Sequence, residues 1–182
     1  MKITETGFNG LLIIKPNVYS DNRGYFFESF NRNAFKNGGI LFSPIQDNES
    51  KSSKGVIRGL HYQLKPFDQA KLIRVIQGKI FDVALDLRKD SLTFGKWYGM
   101  ELDSETKTQL FIPKGFAHGF SVISYEAIIL YKCDNIYNPG YERGISLYDP
   151  DLDIKWNTGS GAKIISDKDL KNPPFKEAEY NF

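Results

Sequence analysis

The chain has 182 residues, of which 41% are hydrophobic and 14% aromatic, and these fractions are typical of a globular protein rather than a disordered one. Its 24 Lys and Arg residues nearly balance 22 Asp and Glu residues, and no dense basic run predicts a nucleic-acid-binding surface. No apolar run approaches the ~20 residues that a bilayer-spanning helix needs, so we expect no membrane partner.

Short strand patterns separated by turn signals recur along the chain and predict an all-β sandwich or barrel. In chain order they cover 10–15, 24–30, 56–62, 72–76, 80–87, 97–102, 108–112, 120–123 and 127–133. One short helix is predicted over 32–37, because a pair of glycines follows it as a stop signal. Beyond residue 133, frequent Pro and Gly predict loops and short turns that wrap over the sheet.

The segment Lys71–Leu87 predicts a β-hairpin with its turn at Gln77–Lys79, where the central glycine can adopt a positive φ. In the second arm, apolar side chains alternate with the carboxylates of Asp82 and Asp86. One face of this strand is therefore expected to pack against apolar groups, and the other to face a cavity or solvent.

Length and cysteine content indicate the organisation and compartment of the chain. We expect residues 1–182 to form a single domain, with a core large enough to need no disulfide. Cys133 is the only cysteine, and the N-terminus lacks the apolar core of a secretion signal. Both observations predict a reducing, cytoplasmic location.

The chain contains only two histidines, so candidates for proton transfer near neutral pH are few. His61 lies in Arg58-Gly-Leu-His-Tyr-Gln and His118 in Pro113-Lys-Gly-Phe-Ala-His-Gly-Phe, both beside strand patterns. A lone histidine is more often structural than catalytic. A three-histidine metal site cannot be assembled from two, so we predict no metal.

Several other polar side chains have two interpretations from the sequence alone. Lys71 and Arg58 can hold anions, yet Lys71 can equally be a solvated lysine at a strand edge. Tyr131 lies in an apolar strand, where a phenol can simply be packed. Asp169 can orient an imidazole, or its segment Ser166–Asp169 can cap a helix. The polar residues Gln46–Ser50 precede a predicted loop at Lys51–Gly55, and their amide and hydroxyl groups can either be solvated or bind a hydroxyl-rich or phosphate ligand.

Taken together, these motifs resemble the dTDP-4-dehydrorhamnose 3,5-epimerase family, whose members are cupin-type jelly rolls with a few short peripheral helices. The resemblance spans residues 21–169. It rests on the strings Asp21-x-Arg-Gly-x-Phe-x-Glu, Gln46-x-Asn, Arg58-Gly-Leu-His-Tyr-Gln, Lys71-Leu-Ile-Arg-Val, Asp82-Val-Ala-Leu-Asp-Leu-Arg, Pro113-x-Gly-Phe-Ala-His-Gly-Phe, Tyr131-Lys and Ser166-x-Lys-Asp.

The resemblance implies a cofactor-free isomerase that removes and returns protons beside the 4-keto group of a nucleotide-diphosphate sugar. It implies that His61 is the base, Asp169 its orienting carboxylate and Tyr131 the acid on the other face, while Lys71 stabilises the enolate. The resemblance further implies a set of substrate-binding residues: Arg23, Phe26, Glu28, Gln46, Asn48, Arg58, His118, Tyr137, Glu142 and Lys168.

The same resemblance implies a homodimer in which some nucleotide contacts come from the neighbouring subunit. Inversion at carbons 3 and 5 of dTDP-4-dehydro-6-deoxy-D-glucose is the leading hypothesis. The alternatives are an epimerase that inverts one carbon or uses another nucleotide or a heptose, and a sugar-binding cupin without catalysis. A metal-dependent cupin oxygenase is disfavoured by the two-histidine count.

Overall fold

The computed structural model describes residues 1–159 and 161–182, and nearly all regular structure in them is β-strand. The strands are β1 (Lys2–Glu5), β2 (Leu12–Lys15), β3 (Val18–Asp21), β4 (Gly24–Phe27), β5 (Gln46–Ser53), β6 (Ile57–Gln63), β7 (Lys71–Gln77), β8 (Lys79–Asp86), β9 (Trp97–Asp103), β10 (Gln109–Ile112), β11 (Phe116–Val122), β12 (Glu126–Cys133) and β13 (Glu142–Gly144). Helix α1 is Arg32–Asn37, as predicted, and α2 is Asp167–Leu170, followed by a 3₁₀ turn at Phe175–Glu177.

Two antiparallel sheets form the body of the protein. Sheet 1 has the order β1-β2-β10-β7-β12-β5 and sheet 2 the order β13-β6-β11-β8-β9, while β3 and β4 form a separate hairpin. A shared core joins the two sheets: Ile73, Leu110 and Ile129 from sheet 1 contact Ile80 and Phe120 from sheet 2 in one buried cluster. Each such buried side chain stabilises the fold by about 1.5–3 kcal/mol. The predicted all-β, jelly-roll sandwich is confirmed.

The hairpin predicted for residues 71–87 is wrong, although its turn is present. Gly78 adopts φ +81° between β7 and β8. The two strands then enter different sheets, because β7 pairs with β10 and β12 whereas β8 pairs with β9 and β11. Local turn chemistry is the same for a hairpin and for a strand that crosses between sheets, so only long-range pairing separates them.

The outer face of sheet 2 is covered by the C-terminal segment, as the Pro and Gly pattern predicts. Val83 and Leu85 of β8 point to this face and pack with Leu147, Trp156 and Phe182. The Trp156 indole N–H donates to the Leu147 carbonyl at 2.9 Å, which fixes the segment on the sheet. Asp82 points to the opposite face of the same strand, toward the interior.

Helix α1 packs on the outer face of sheet 1. Asn31 caps it by accepting hydrogen bonds from two backbone N–H groups of the first turn. Phe35 of the helix packs with Phe42 and Phe111. None of the helices in the described residues has the length and apolar character needed to span a bilayer.

Candidate active site

A pocket of about 280 Å³ opens between the two sheets. Sheet 1 lines it with polar side chains of β5 and with residues of β7 and β12, and sheet 2 lines it with residues of β6, β11 and β13. The lining residues are Gln46, Asn48, Glu49, Ser50, Arg58, His61, Gln69, Lys71, His118, Gly119, Phe120, Tyr131, Cys133, Tyr137 and Glu142. The pocket therefore unites most of the site residues that the sequence motifs predict.

Two glycines set the spacing of the strands that hold both histidines. Gly59 on β6 adopts φ +135°, and a Cβ there would lie 2.6 Å from Cα of Gly119 on β11. A Cβ on Gly119 would in turn lie 2.9 Å from the Arg58 carbonyl oxygen. Both positions need glycine because side chains would push the strands apart. With the strands this close, His118 lies opposite His61 in the pairing register.

His61 is bound to a buried carboxylate. Its Nε2 lies 2.6 Å from Asp169 Oδ1, and Asp169 is 5% exposed. Burial acts to raise the pKa of Asp169, but the hydrogen bond and the electrostatic interaction with His61, together with weaker hydrogen bonds, outweigh burial, so the pKa lies below its usual value. Among the described residues nothing else hydrogen-bonds the His61 ring, so Nδ1 is left to act on a ligand.

The sequence left two roles open for the segment Ser166–Asp169, and the structure shows both: Asp169 binds the imidazole of His61, and Ser166 caps a helix. Ser166 is the N-cap of α2, and its Oγ accepts a hydrogen bond from the Asp169 backbone N–H at 3.1 Å. The Gly59 backbone N–H also donates to Asp169 Oδ2, at 3.4 Å. The cap therefore holds the carboxylate that orients the imidazole.

Tyr131 presents its phenol from the other wall of the pocket. It lies on β12 in sheet 1, whereas His61 lies on β6 in sheet 2. The phenol oxygen lies 2.9 Å from Ser50 Oγ. Burial raises the pKa of Tyr131 well above its usual value, so the phenol keeps its proton and can donate it.

Lys71 lines the pocket and forms no ion pair among the described residues. Burial lowers its pKa, while electrostatic interactions with Cys133, Glu142 and Asp82 oppose that effect. A lysine in this position can stabilise negative charge that develops on a ligand oxygen. The interpretation of Lys71 as a solvated strand-edge lysine does not fit its place in the pocket.

The other predicted binding residues in the pocket form a hydrogen-bonded rim. Gln46 donates to Asn48 at 3.0 Å and accepts from the Tyr137 backbone N–H at 2.8 Å. The Tyr137 hydroxyl donates to Glu142 at 2.7 Å, and Lys168 forms an ion pair with the same carboxylate. Arg58, an exposed residue that also lines the pocket, donates to Ser52 at 3.0 Å.

Arg23, Phe26 and Glu28 do not reach the pocket of this chain. Arg23 and Phe26 lie on the β3–β4 hairpin, where Phe26 is 73% exposed and Arg23 pairs with Asp21. Glu28 follows the hairpin and accepts a hydrogen bond from Asn31 at 3.0 Å. Three of the predicted binding residues are therefore presented to the surroundings rather than to the pocket.

Sequence reasoning missed two residues that contact predicted site residues. Ser50 binds the Tyr131 hydroxyl, and Asp82 binds His118 with 2.8 Å between Oδ2 and Nε2. Ser50 continues the two-residue spacing of Gln46 and Asn48, a signal that is meaningful only if the segment is a strand. The sequence placed Asp82 and Asp86 on one face of a strand, but it gave no indication that Asp82 binds His118.

A protein metal site usually needs three or more donor side chains close together. Within residues 1–159 and 161–182, no group of three or more His, Cys, Asp or Glu side chains is arranged to hold a metal ion. Each histidine instead binds one aspartate.

Comparison with known proteins identifies relatives across nearly the whole chain. A family model described as dTDP-4-dehydrorhamnose 3,5-epimerase matches residues 5–177. The dTDP-4-dehydrorhamnose 3,5-epimerase of Shigella flexneri is 48% identical over 181 residues, covering 99% of each chain.

Solved structures of similar proteins share the fold. A crystal structure of dTDP-4-dehydrorhamnose 3,5-epimerase from Elizabethkingia anophelis NUHP1 matches with a TM-score of 0.92 at 47% identity, covering 97% of both chains. The dTDP-6-deoxy-D-glucose-3,5-epimerase RmlC from Legionella pneumophila Philadelphia 1, in complex with dTDP-4-keto-L-rhamnose, matches with a TM-score of 0.92 at 45% identity, covering 97% of this chain and 93% of that one.

A 3'-monoepimerase from Streptomyces bikiniensis in complex with dTDP-quinovose is more distant, with a TM-score of 0.86 at 32% identity, covering 92% of this chain and 85% of that one. The family model covers the whole stretch, residues 21–169, that contains the motifs around both histidines, Tyr131 and Asp169. The chain therefore belongs to the dTDP-4-dehydrorhamnose 3,5-epimerase family.

Proposed function

We propose that this protein converts dTDP-4-dehydro-6-deoxy-D-glucose to dTDP-4-dehydro-L-rhamnose by inverting carbons 3 and 5 of the sugar. Relatives of 47–49% identity are named for this activity and match almost the full chain. The observation that carries the proposal is the His61–Asp169 pair on one wall of a pocket whose other wall presents the Tyr131 phenol.

The chemistry needs a base and an acid on opposite faces of the sugar ring. The carbonyl at carbon 4 acidifies the hydrogens on carbons 3 and 5, so a base of moderate strength can remove each one. The electron pair of the broken C–H bond moves onto the carbonyl oxygen as an enolate, and return of a proton to the other face inverts the carbon. Because the substrate supplies its own electron sink, the proposed reaction needs no cofactor.

The residues divide this work by their contacts. His61 takes the proton on Nδ1, since Nε2 is bound to Asp169, whose carboxylate offsets the positive charge that the ring gains. Tyr131 returns a proton from the opposite wall. Lys71 stabilises the enolate oxygen, and the rim formed by Gln46, Asn48 and Tyr137 binds the nucleotide end of the substrate.

The stereochemistry of the product tests this proposal. Purified protein incubated with dTDP-4-dehydro-6-deoxy-D-glucose is expected to give a sugar with both carbons inverted, as read from proton couplings in NMR spectra. A product inverted at one carbon would instead support the single-carbon alternative, which the Streptomyces relative represents. Unchanged substrate would support a protein that binds the sugar nucleotide without catalysis.

We also propose that the active unit is a homodimer in which the β3–β4 hairpin completes the pocket of the partner. The hairpin exposes Tyr19, Tyr25 and Phe26 at 65%, 59% and 73%, an apolar surface that favours burial at an interface. The pocket of one chain, at about 280 Å³, is near the lower end of the ~300–1,000 Å³ typical of small-molecule sites. A nucleotide-diphosphate sugar therefore needs further walls, and Arg23 suits its diphosphate.

Hybrid dimers test whether the hairpin crosses between subunits. His61→Ala and Arg23→Ala chains, carrying different affinity tags and produced together, are each expected to be impaired as homodimers. A purified hybrid with a crossed hairpin has one site with both residues intact, so we expect it to recover about half of the wild-type rate. A hybrid no more active than the two parents would contradict the crossed arrangement.

We further propose that residues 1–182 form a single domain, which the chain length supports, and that the protein acts in the cytoplasm, which the single cysteine supports.

A further inference from the structure

His118 is held by a buried carboxylate that takes no part in the proton transfers proposed above. Its Nε2 lies 2.8 Å from Oδ2 of Asp82. His118 is 6% exposed and Asp82 is 0% exposed, so the pair is shielded from bulk water. The two residues lie on adjacent strands of sheet 2, β11 and β8, and both side chains point between the sheets. The contact is therefore a fixed feature of the inner wall.

Nδ1 is the nitrogen of His118 that remains available to bind a ligand. Among the described residues its ring hydrogen-bonds only Asp82, through Nε2, and the residue lines the pocket. His118 also lies between the two groups assigned to proton transfer. It opposes His61 in the strand register, and its ring centroid is 6.2 Å from that of Tyr131.

This intermediate position suits one atom of the proposed substrate. The oxygen on carbon 4 lies between carbons 3 and 5, and it gains negative charge whichever of the two loses its proton. A donor that serves both steps must therefore lie between the base and the acid. A histidine whose Nε2–H is bound to a carboxylate can donate from Nδ1 only when the ring carries both protons.

We infer that Asp82 is a positioning residue that holds His118 as a doubly protonated imidazolium, so that its Nδ1–H donates a hydrogen bond to the oxygen on carbon 4 in both proton transfers. This inference deepens the proposed function and rests on it. His118 keeps its proton throughout the cycle: His61 takes the proton from carbon, and collapse of the enolate is completed by proton return from Tyr131.

The charges around the pair are consistent with this state. Asp82 Oδ1 is buried without a hydrogen-bond partner among the described residues, so its carboxylate charge is not dispersed by further donors. A buried imidazolium needs a compensating anion nearby, and Asp82 is in direct contact with it. The other titratable or charged groups that line the pocket are Glu49, Arg58, His61, Lys71, Tyr131, Cys133 and Glu142.

Nitrogen NMR of the free protein tests the protonation state directly. With isotope-labelled histidine the spectrum contains only two rings, because the chain has only two histidines, and His61→Gln assigns them. Near neutral pH we expect both nitrogens of His118 to carry protons in the wild-type protein, and only one in Asp82→Asn. A singly protonated His118 in the wild-type protein would overturn the inference. This outcome is independent of whether the protein turns over the proposed substrate.

Kinetics test whether Asp82 acts through His118. Asp82→Asn is expected to lower kcat by about 100-fold while KM changes less than about threefold, because the lost interaction strengthens in the transition state. Deuterium exchange at carbons 3 and 5 should slow by similar factors. In a His118→Gln background, Asp82→Asn should cause little further loss. Additive losses in this cycle would overturn the positioning role.

Asp86→Asn is the matched control. Asp86 lies on the same strand and face as Asp82 and is equally buried, but it binds Arg88, Ser91 and Thr93 away from the pocket. This change is expected to lower Tm while leaving His118 doubly protonated and kcat per folded molecule within about threefold of wild type. If Asp82→Asn does not fold, the wild-type spectrum still decides the question.

Discussion

His61→Ala is expected to abolish proton removal from the substrate, lowering kcat by about 10⁴-fold. In the proposed mechanism the imidazole is the base that breaks the C–H bond, and among the described residues its Nε2 is committed to Asp169. Both the formation of product and the exchange of substrate hydrogens with deuterated water should fall together. Affinity for dTDP should stay within about threefold, because the residues assigned to the nucleotide lie elsewhere on the pocket rim.

His118→Ala is the control for loss of an imidazole from the same pocket. It removes a predicted substrate contact but leaves the base, so its loss of kcat is expected to be smaller, about 10²–10³-fold. Deuterium exchange in His61→Ala within about tenfold of the wild-type rate would contradict the assignment of His61 as base.

Tyr131→Phe is expected to separate proton exchange from inversion. The change keeps the aromatic ring in its place on β12 but removes the hydroxyl that lies 2.9 Å from Ser50. His61 can still remove a proton and return one to the same face, so substrate should acquire deuterium while keeping its configuration. Net inversion is expected to fall by about 10³-fold. NMR spectra of the recovered substrate and product give both rates from one sample.

The matched control is Tyr98→Phe, which removes a phenol from a partly buried tyrosine of β9 that does not line the pocket. Inversion and exchange in this variant should both stay within about threefold of wild type. If Tyr131→Phe lowered exchange and inversion by the same factor, Tyr131 would not be the acid on the opposite face.

Strands with an apolar face were predictable from sequence, but the polar strand β5 was not. Its sequence Gln46–Ser53 has no apolar alternation, so no strand was predicted there. In the fold, Gln46, Asn48, Glu49 and Ser50 line the pocket, whereas Asp47 and Lys51 are not part of its lining. A strand that borders a polar pocket on one side and solvent on the other lacks the hydrophobic period on which sequence prediction depends.

The order of strands along the chain also did not predict which strands pair with each other. The turn at Gly78 was predicted correctly, yet β7 and β8 belong to different sheets. The partners of each strand come from distant parts of the chain, and no local signal in one sequence specifies them. The Asp82–His118 contact escaped prediction for the same reason, since it joins strands 36 residues apart.

The sequence predicted which residues form the site better than it predicted how those residues are arranged. The strings around His61, Tyr131 and Asp169 carry a family resemblance that the comparisons confirm. Because His61 and Asp169 are 108 residues apart in the sequence, their spacing could not predict that they are in contact. The placement of Arg23 outside the pocket likewise depends on the hairpin β3–β4, which forms a sheet separate from the two that hold the pocket.

The most direct test of cofactor-free proton transfer at two carbons is to follow deuterium in the product. Wild-type protein, treated with a chelator and incubated with dTDP-4-dehydro-6-deoxy-D-glucose in deuterated water, is expected to yield product with deuterium at both carbon 3 and carbon 5. NMR spectroscopy locates each deuterium. An inverted product without solvent deuterium at either carbon, or activity lost on chelation and restored by a metal ion, would contradict the proposed mechanism.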